Sequence, residues 1–258
     1  MSHRRHALTL VGPLLLACAP SLRVHARAGE EIAKGYRYLS IGDLERADVA
    51  FAHALEFNED IPEALNGAGI VARRLGAMGE ARRRFQRAVR VVPDFAEGYV
   101  NLGELDLAEG RTAAAEADFR SALEVDPDLL VARLDLARTL LHRGRLDGSR
   151  REELWRAARR EYLHLLEARP DVAEAYHDLA YMDHESGRWD EAAEAYRHAV
   201  QLAPRYVEAL HGWCVSLARA GRCEAAVAAC RGCLEVAPGE DRCTVSLEGA
   251  KACAAPSP

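Results

Sequence analysis

The sequence predicts an all-α solenoid of six helix-turn-helix repeats closed by a C-terminal capping helix, and three observations carry that expectation. Glycines stand at Gly42, Gly76, Gly110, Gly144, Gly187 and Gly221, at intervals of 34, 34, 34, 43 and 34 residues. An alanine column (Ala47, Ala81, Ala115, Ala158, Ala192, Ala226) keeps these periods, with the long interval one step earlier. An aromatic column follows at Phe51, Phe85, Phe119, Tyr162 and Tyr196, with Cys230 in the sixth place, and prolines close the units at Pro93, Pro127, Pro170, Pro204 and Pro238. A fixed period of this length marks arrays in which each unit is one supersecondary element stacked on the next.

Each column has a physical task. The glycine ends a first helix, where a left-handed backbone is cheap without a Cβ. Small residues at Gly35, Gly69, Gly103, Ala137 and Ala180 let the second helix approach, and the alanine column supplies the other side of that contact. The aromatic fills the gap between paired helices, and the proline ends the second helix. This pattern resembles the tetratricopeptide-repeat family over about residues 28 to 240. The resemblance implies a right-handed superhelical solenoid whose first helices line a concave groove. It divides the chain into an export signal and tether (1–28), six repeats (29–240), and a capping helix with a tail (241–258).

The interval of 43 in place of 34 locates nine extra residues between Gly144 and Ala158. The segment Leu146 to Ala157 opens Asp147-Gly148-Ser149 and continues as a basic, helix-competent run. It is expected to lengthen the front of the fourth repeat's second helix or to add a short loop. Its role is either surface decoration or a partner-specific protrusion, because insertions in solenoids map to one face.

The bulk composition excludes several function classes. With 49% hydrophobic and 29% charged residues the chain is of ordinary globular make-up, and its net charge of −6 offers no general attraction for nucleic-acid phosphates. No apolar run reaches the roughly 18 residues of a membrane span. The N-terminus instead reads as an export signal: basic His3, Arg4, Arg5 and His6 precede an apolar stretch from Ala7 to Ala17. Two processing sites compete. Leu15-Leu16-Ala17-Cys18 resembles a bacterial lipobox, in which Cys18 is acylated and becomes the new N-terminus; Ala26-Arg27-Ala28 before Gly29 is an ordinary cleavage site.

Six further cysteines, Cys214, Cys223, Cys230, Cys233, Cys243 and Cys253, crowd the last part of the chain. An even number in an exported protein points to disulfides. Cys223 and Cys233 lie ten residues apart on the second helix of repeat six, and Cys243 and Cys253 ten apart on the antiparallel capping helix. Pairing the outer ends, Cys223 with Cys253, and the inner ends, Cys233 with Cys243, staples that hairpin twice. Cys214 and Cys230 then face each other in the small and aromatic columns. A zinc site at Cys230-x-x-Cys233 is the rival reading.

No phosphate loop, H-E-x-x-H or G-x-S-x-G motif is present, so no enzyme activity, catalytic residue or cofactor is expected. His177, His184 and His211, near Asp178 and Glu185, are expected on the inner face as polar groove residues, with metal binding the alternative. By helical phase the groove is lined in the first repeats by Ile32, Tyr36, Leu39, Asn66, Ile70 and Arg73. It continues through Asn101, Glu104, Leu107, Leu134, Arg138 and Leu141 to His177, Tyr181 and His211. Such a surface suits an extended or helical peptide of a protein partner.

An exported chain of six such repeats with a lipid site at Cys18 resembles the Tgl/PilF-type pilotins of type IV pili. That resemblance implies an outer-membrane lipoprotein facing the periplasm, anchored by its N-terminal lipid, with a secretin subunit as partner and no small-molecule substrate. A general periplasmic adaptor for envelope assembly or cell-wall enzymes is the alternative.

Overall fold

Apolar residues at helical spacing, broken every 13 to 18 residues by glycine or proline turns, give a chain of antiparallel helix pairs. The computed structural model describes residues 20–254; Cys18 and the basic-apolar start lie outside them. Among the described residues every regular element is an α-helix. The chain divides into two compact units, one ending at Gly98 and one beginning at Tyr99.

The first unit holds α1 (Pro20–Ser40), α2 (Leu44–Phe57), α3 (Pro62–Arg74) and α4 (Met78–Val91). Pro62 starts α3, where its missing N–H costs nothing. Asp43 caps α2 by accepting from the Arg46 amide at 3.1 Å. The core is built by Phe51, fully buried among Leu39, Ala47, Ala68 and Val71. Gly35 and Gly67 press on its ring from two sides. A Cβ at Gly35 would stand 2.6 Å from Phe51 Cε1, and one at Gly67 would overlap the ring outright. Phe51 thus joins its own repeat to the next.

The second unit contains most of α5 (Ala96–Ala108), then α6 (Thr112–Val125), α7 (Leu130–Leu146), α8 (Arg151–Ala168) and α9 (Ala173–Glu185). It ends in α10 (Trp189–Leu202), α11 (Val207–Arg219), α12 (Cys223–Val236) and the capping helix α13 (Asp241–Ala254). Phe119, Leu136, Leu140, Trp155 and Tyr162 share one core cluster. Farther along, Leu247 and Ala250 of α13 pack onto Cys214, Leu217 and Cys230, so the cap covers the face that the sixth repeat would leave open.

One sequence expectation needs correction. Gly42, Gly76, Gly110, Gly187 and Gly221 take positive φ in the turns between paired helices, but Gly144 does not. It lies inside α7, buried against the Trp155 indole, which a Cβ there would overlap. The nine extra residues are shared out: α7 has 17 residues and α8 has 18, where the flanking pairs have 13 and 14. Both helices therefore run about one turn longer, and Gly144 serves close packing in place of a turn.

Candidate functional site: the inner face of the first helices

In the second unit α7, α9, α11 and α13 lie side by side, because each second helix packs behind its partner. Polar side chains link successive first helices along this face. Arg138 Nε lies 3.9 Å from Asp178 Oδ2, His184 Nδ1 is 2.9 Å from Ser216 Oγ, and His211 Nε2 is 3.1 Å from Ser246 Oγ. Asp178 is the centre of the arrangement. It accepts from Tyr162 Oη at 2.6 Å and meets His177 Nδ1 at 3.0 Å, and the His177 ring stacks on Tyr206 at 5.0 Å. Arg145 lies over the Tyr181 ring at 5.2 Å, and Tyr181 meets Trp155 edge-on.

The electrostatics of this face combine buried carboxylates with arginines, Arg138 beside Asp178 and Arg145 over Tyr181. Burial and the neighbouring Glu104 raise Asp135 to about 6, against the opposing pull of Arg138. Burial lowers His184, helped by Arg219, and lowers His211, helped by Arg242, so both rings favour the neutral form that exchanges hydrogen bonds with serine. Burial, with the nearby Asp178, pushes the Tyr206 phenol up to about 12. The result is a band of aromatic faces and carboxylates, suited to a peptide carrying apolar and cationic side chains.

In the first unit the corresponding face carries Tyr36, 37% exposed and packed edge-on against Phe51 at 5.1 Å, with Ile32, Ile70 and Arg73 partly buried beside it. Tyr36 Oη donates to the Glu63 carbonyl at 3.1 Å.

The structure places the expected groove residues unevenly. Ile32, Tyr36, Ile70, Arg73, Glu104 and Leu107 reach the surface at least in part, as do Leu134, Arg138, His177, Tyr181 and His211. Leu39 and Leu141 do not: at 5% and 7% exposure they belong to the core clusters, because their helical positions face the next repeat's packing. Asn66 and Asn101 are buried too, at 5% and 9%, with Asn66 Nδ2 at 3.5 Å from Tyr36 Oη. The three histidines do not converge. Among the described residues no group of three histidine, cysteine or carboxylate side chains is placed to hold a metal ion.

Several contributors escaped the sequence reading, Arg145, Ser216, Ser246, Tyr206 and Asp135 among them. Tyr206 precedes α11 and was hidden because it lies outside the helical phase. Asp135 falls one residue from Leu134; the available signal was an acid in a position held by glycine in other repeats (Gly67, Gly212).

At the far end Cys214 meets Cys230, Cys223 meets Cys253, and Cys233 meets Cys243. Their Cα separations are 5.1, 5.4 and 6.2 Å, within disulfide span. The Ala26-Arg27-Ala28 triplet lies inside α1, with Ala28 only 3% exposed.

Stacked helix pairs with an aromatic between them and an inner face of first helices define a repeat protein built to hold another polypeptide. Tetratricopeptide-repeat profiles match residues 79–129, 106–181 and 173–206, and the chain is a tetratricopeptide-repeat protein. Its fold is that of PilF of Pseudomonas aeruginosa, 15% identical with a TM-score of 0.71 over 89% of this chain and 99% of that one. PilW, a widely conserved type IV pilus biogenesis factor, is 20% identical with a TM-score of 0.67, covering 85% of this chain and 98% of its own. Among curated proteins, cellulose synthase 1 operon protein C of Komagataeibacter xylinus is 25% identical over 46% of this chain and 12% of its own length. Cellulose synthase operon protein C of Xanthomonas axonopodis pv. citri is 28% identical over 46% and 10%. The chain thus spans about a tenth of the length of these curated relatives. Proteins of this fold bind protein partners in a groove, and the chain is a protein-interaction scaffold.

Proposed function

We propose that this scaffold is an exported, non-catalytic lipoprotein, anchored through Cys18, that assists assembly of a type IV pilus secretin by holding one of its subunits on the inner face. The observation that carries the reading is architectural: the fold matches PilF and PilW over nearly their whole lengths. Three further features support it. The basic-apolar start leads into the lipobox-like tetrad ending at Cys18. Cleavage after Ala28 would remove a buried residue and the first turns of α1, whereas processing at Cys18 keeps that helix whole. Three cysteine pairs at disulfide distance suit the oxidising space outside the cytoplasm.

Deletion of the gene tests the role: secretin should then remain monomeric in the envelope, and stable multimers in the deletion strain would reject it. Cys18→Ser should abolish incorporation of labelled fatty acid and release the chain from the membrane fraction; unchanged fractionation would reject the anchor. The cellulose-operon relatives favour a second reading, a periplasmic adaptor in envelope polysaccharide assembly. Capture of a cellulose-synthesis component in place of secretin on crosslinking would select it.

A further inference from the structure

The longer α7–α8 pair does more than extend the hairpin. Because α8 begins a turn early, its Arg151 and Glu152 join Glu185 and Ser186 at the C-terminal end of α9 in lining a half-open cavity of about 460 Å³. Its floor is apolar, made by Trp155 and Met182, both buried to within 7% exposure. Four arginines reach its walls: Arg151, Arg156, Arg159 and Arg188.

Their charges are incompletely balanced. Arg159 and Arg188 share one carboxylate, Asp183, which is buried beneath them. Arg151 donates to the Gly144 carbonyl at 3.4 Å and lies over the Trp155 ring at 5.3 Å, with no carboxylate partner among the described residues. Among the described residues Arg156 pairs only with Glu152, at 2.5 Å, and the two side chains are 64% and 89% exposed. Such an exposed pair is weak and readily exchanged. Glu152 and Glu185 also line the cavity, so with Asp183 three carboxylates face four guanidiniums, and one positive charge, that of Arg151, is left without a counterpart among the described residues. A planar guanidinium held over an indole, beside others on an apolar floor, is arranged to grip a carboxylate bidentately and to exclude water around its stem.

We propose that this cavity is a second binding site, separate from the inner face, that takes a glutamate or aspartate side chain of an acidic, partly apolar peptide segment of a partner protein. Arg151 and Arg156 come from the lengthened segment before Ala158, Arg159 from the part of α8 that follows it, and Arg188 from the turn after α9, so the site belongs to the fourth and fifth repeats alone. It stands whichever partner occupies the inner face.

Fluorescence anisotropy tests it, with a fluorescein-labelled peptide of alternating glutamate and leucine titrated with the full chain under non-reducing conditions. Binding should be at least tenfold tighter than for the matched glutamine-leucine peptide. Arg151→Gln/Arg156→Gln should weaken it at least tenfold with unchanged thermal melting, and Glu152→Gln, which frees Arg156, should tighten it. Arg138→Gln, on the inner face, should leave it unaltered. Equal affinity for the two peptides, no binding at millimolar protein, or a loss confined to Arg138→Gln would overturn the proposal. So would binding of inorganic phosphate without binding of the peptide.

Discussion

Phe51 is held between two glycines, and its position shows how one column solves the same packing problem three ways. Where Gly35 and Gly67 leave room, a bare ring fills the space. In the fourth repeat the ring is Tyr162, and the residue aligned with Gly67 is Asp178, so a 2.6 Å hydrogen bond stands at the junction. In the sixth the column holds Cys230, which meets Cys214 from the small column. Tyr162→Phe should cost about 1 kcal/mol, the usual net value of such a bond or slightly more for a charged acceptor; urea denaturation measures it. Asp135 behaves oppositely to most carboxylates. Its folded pKa of about 6 lies above the ordinary 3.8, so the native state holds the proton more tightly and stability falls as pH rises between those values. Asp135→Asn should therefore stabilise the protein by about 1 kcal/mol at pH 7, after allowance for solvent screening, and by nothing below pH 4. Melting curves at the two pH values check the sign.

At the scale of the helix pair, the sixfold columns made the fold readable, since periods of 34 residues recur with the same residue types in the same places. Spacing also marked where the register slips. It could not show that Gly144 sits within a helix, because glycine answers two different demands: positive φ in a turn, or close approach of a ring. Trp155 is the residue that discriminates, and its ring is visible in the sequence only as an apolar position in a basic run. Its indole donates to the Leu141 carbonyl at 3.1 Å, and Trp155→Ala should cost about 3–5 kcal/mol as a large core truncation. Gly110→Ala, by contrast, should cost only about 1 kcal/mol, from backbone strain at φ 76°. Helical phase likewise blurred the edge of the groove. Leu39 and Leu141 lie where the inner face turns into the contact with the next repeat, and their apolar character gives no hint of which side they join.

For the molecule as a whole, the capping helix and the cysteines decide how the array ends. The three pairs close loops with sequence separations of 16, 30 and 10 residues, and all of them tie down α11, α12 or α13. As disulfides they should each contribute on the order of 2–4 kcal/mol by restricting the unfolded chain. Reduction should lower the melting temperature, with hydrogen exchange rising first in α13, and non-reducing peptide mapping should recover these pairs. The inner face, not the cap, is where a secretin subunit should be held. A photo-crosslinking residue at Arg138, with one at exposed Arg160 on α8 as control, reads this in the native envelope. Position 138 should give a single adduct with a secretin subunit and position 160 none; no adduct from 138, or the same adduct from both, would contradict a partner held on the inner face.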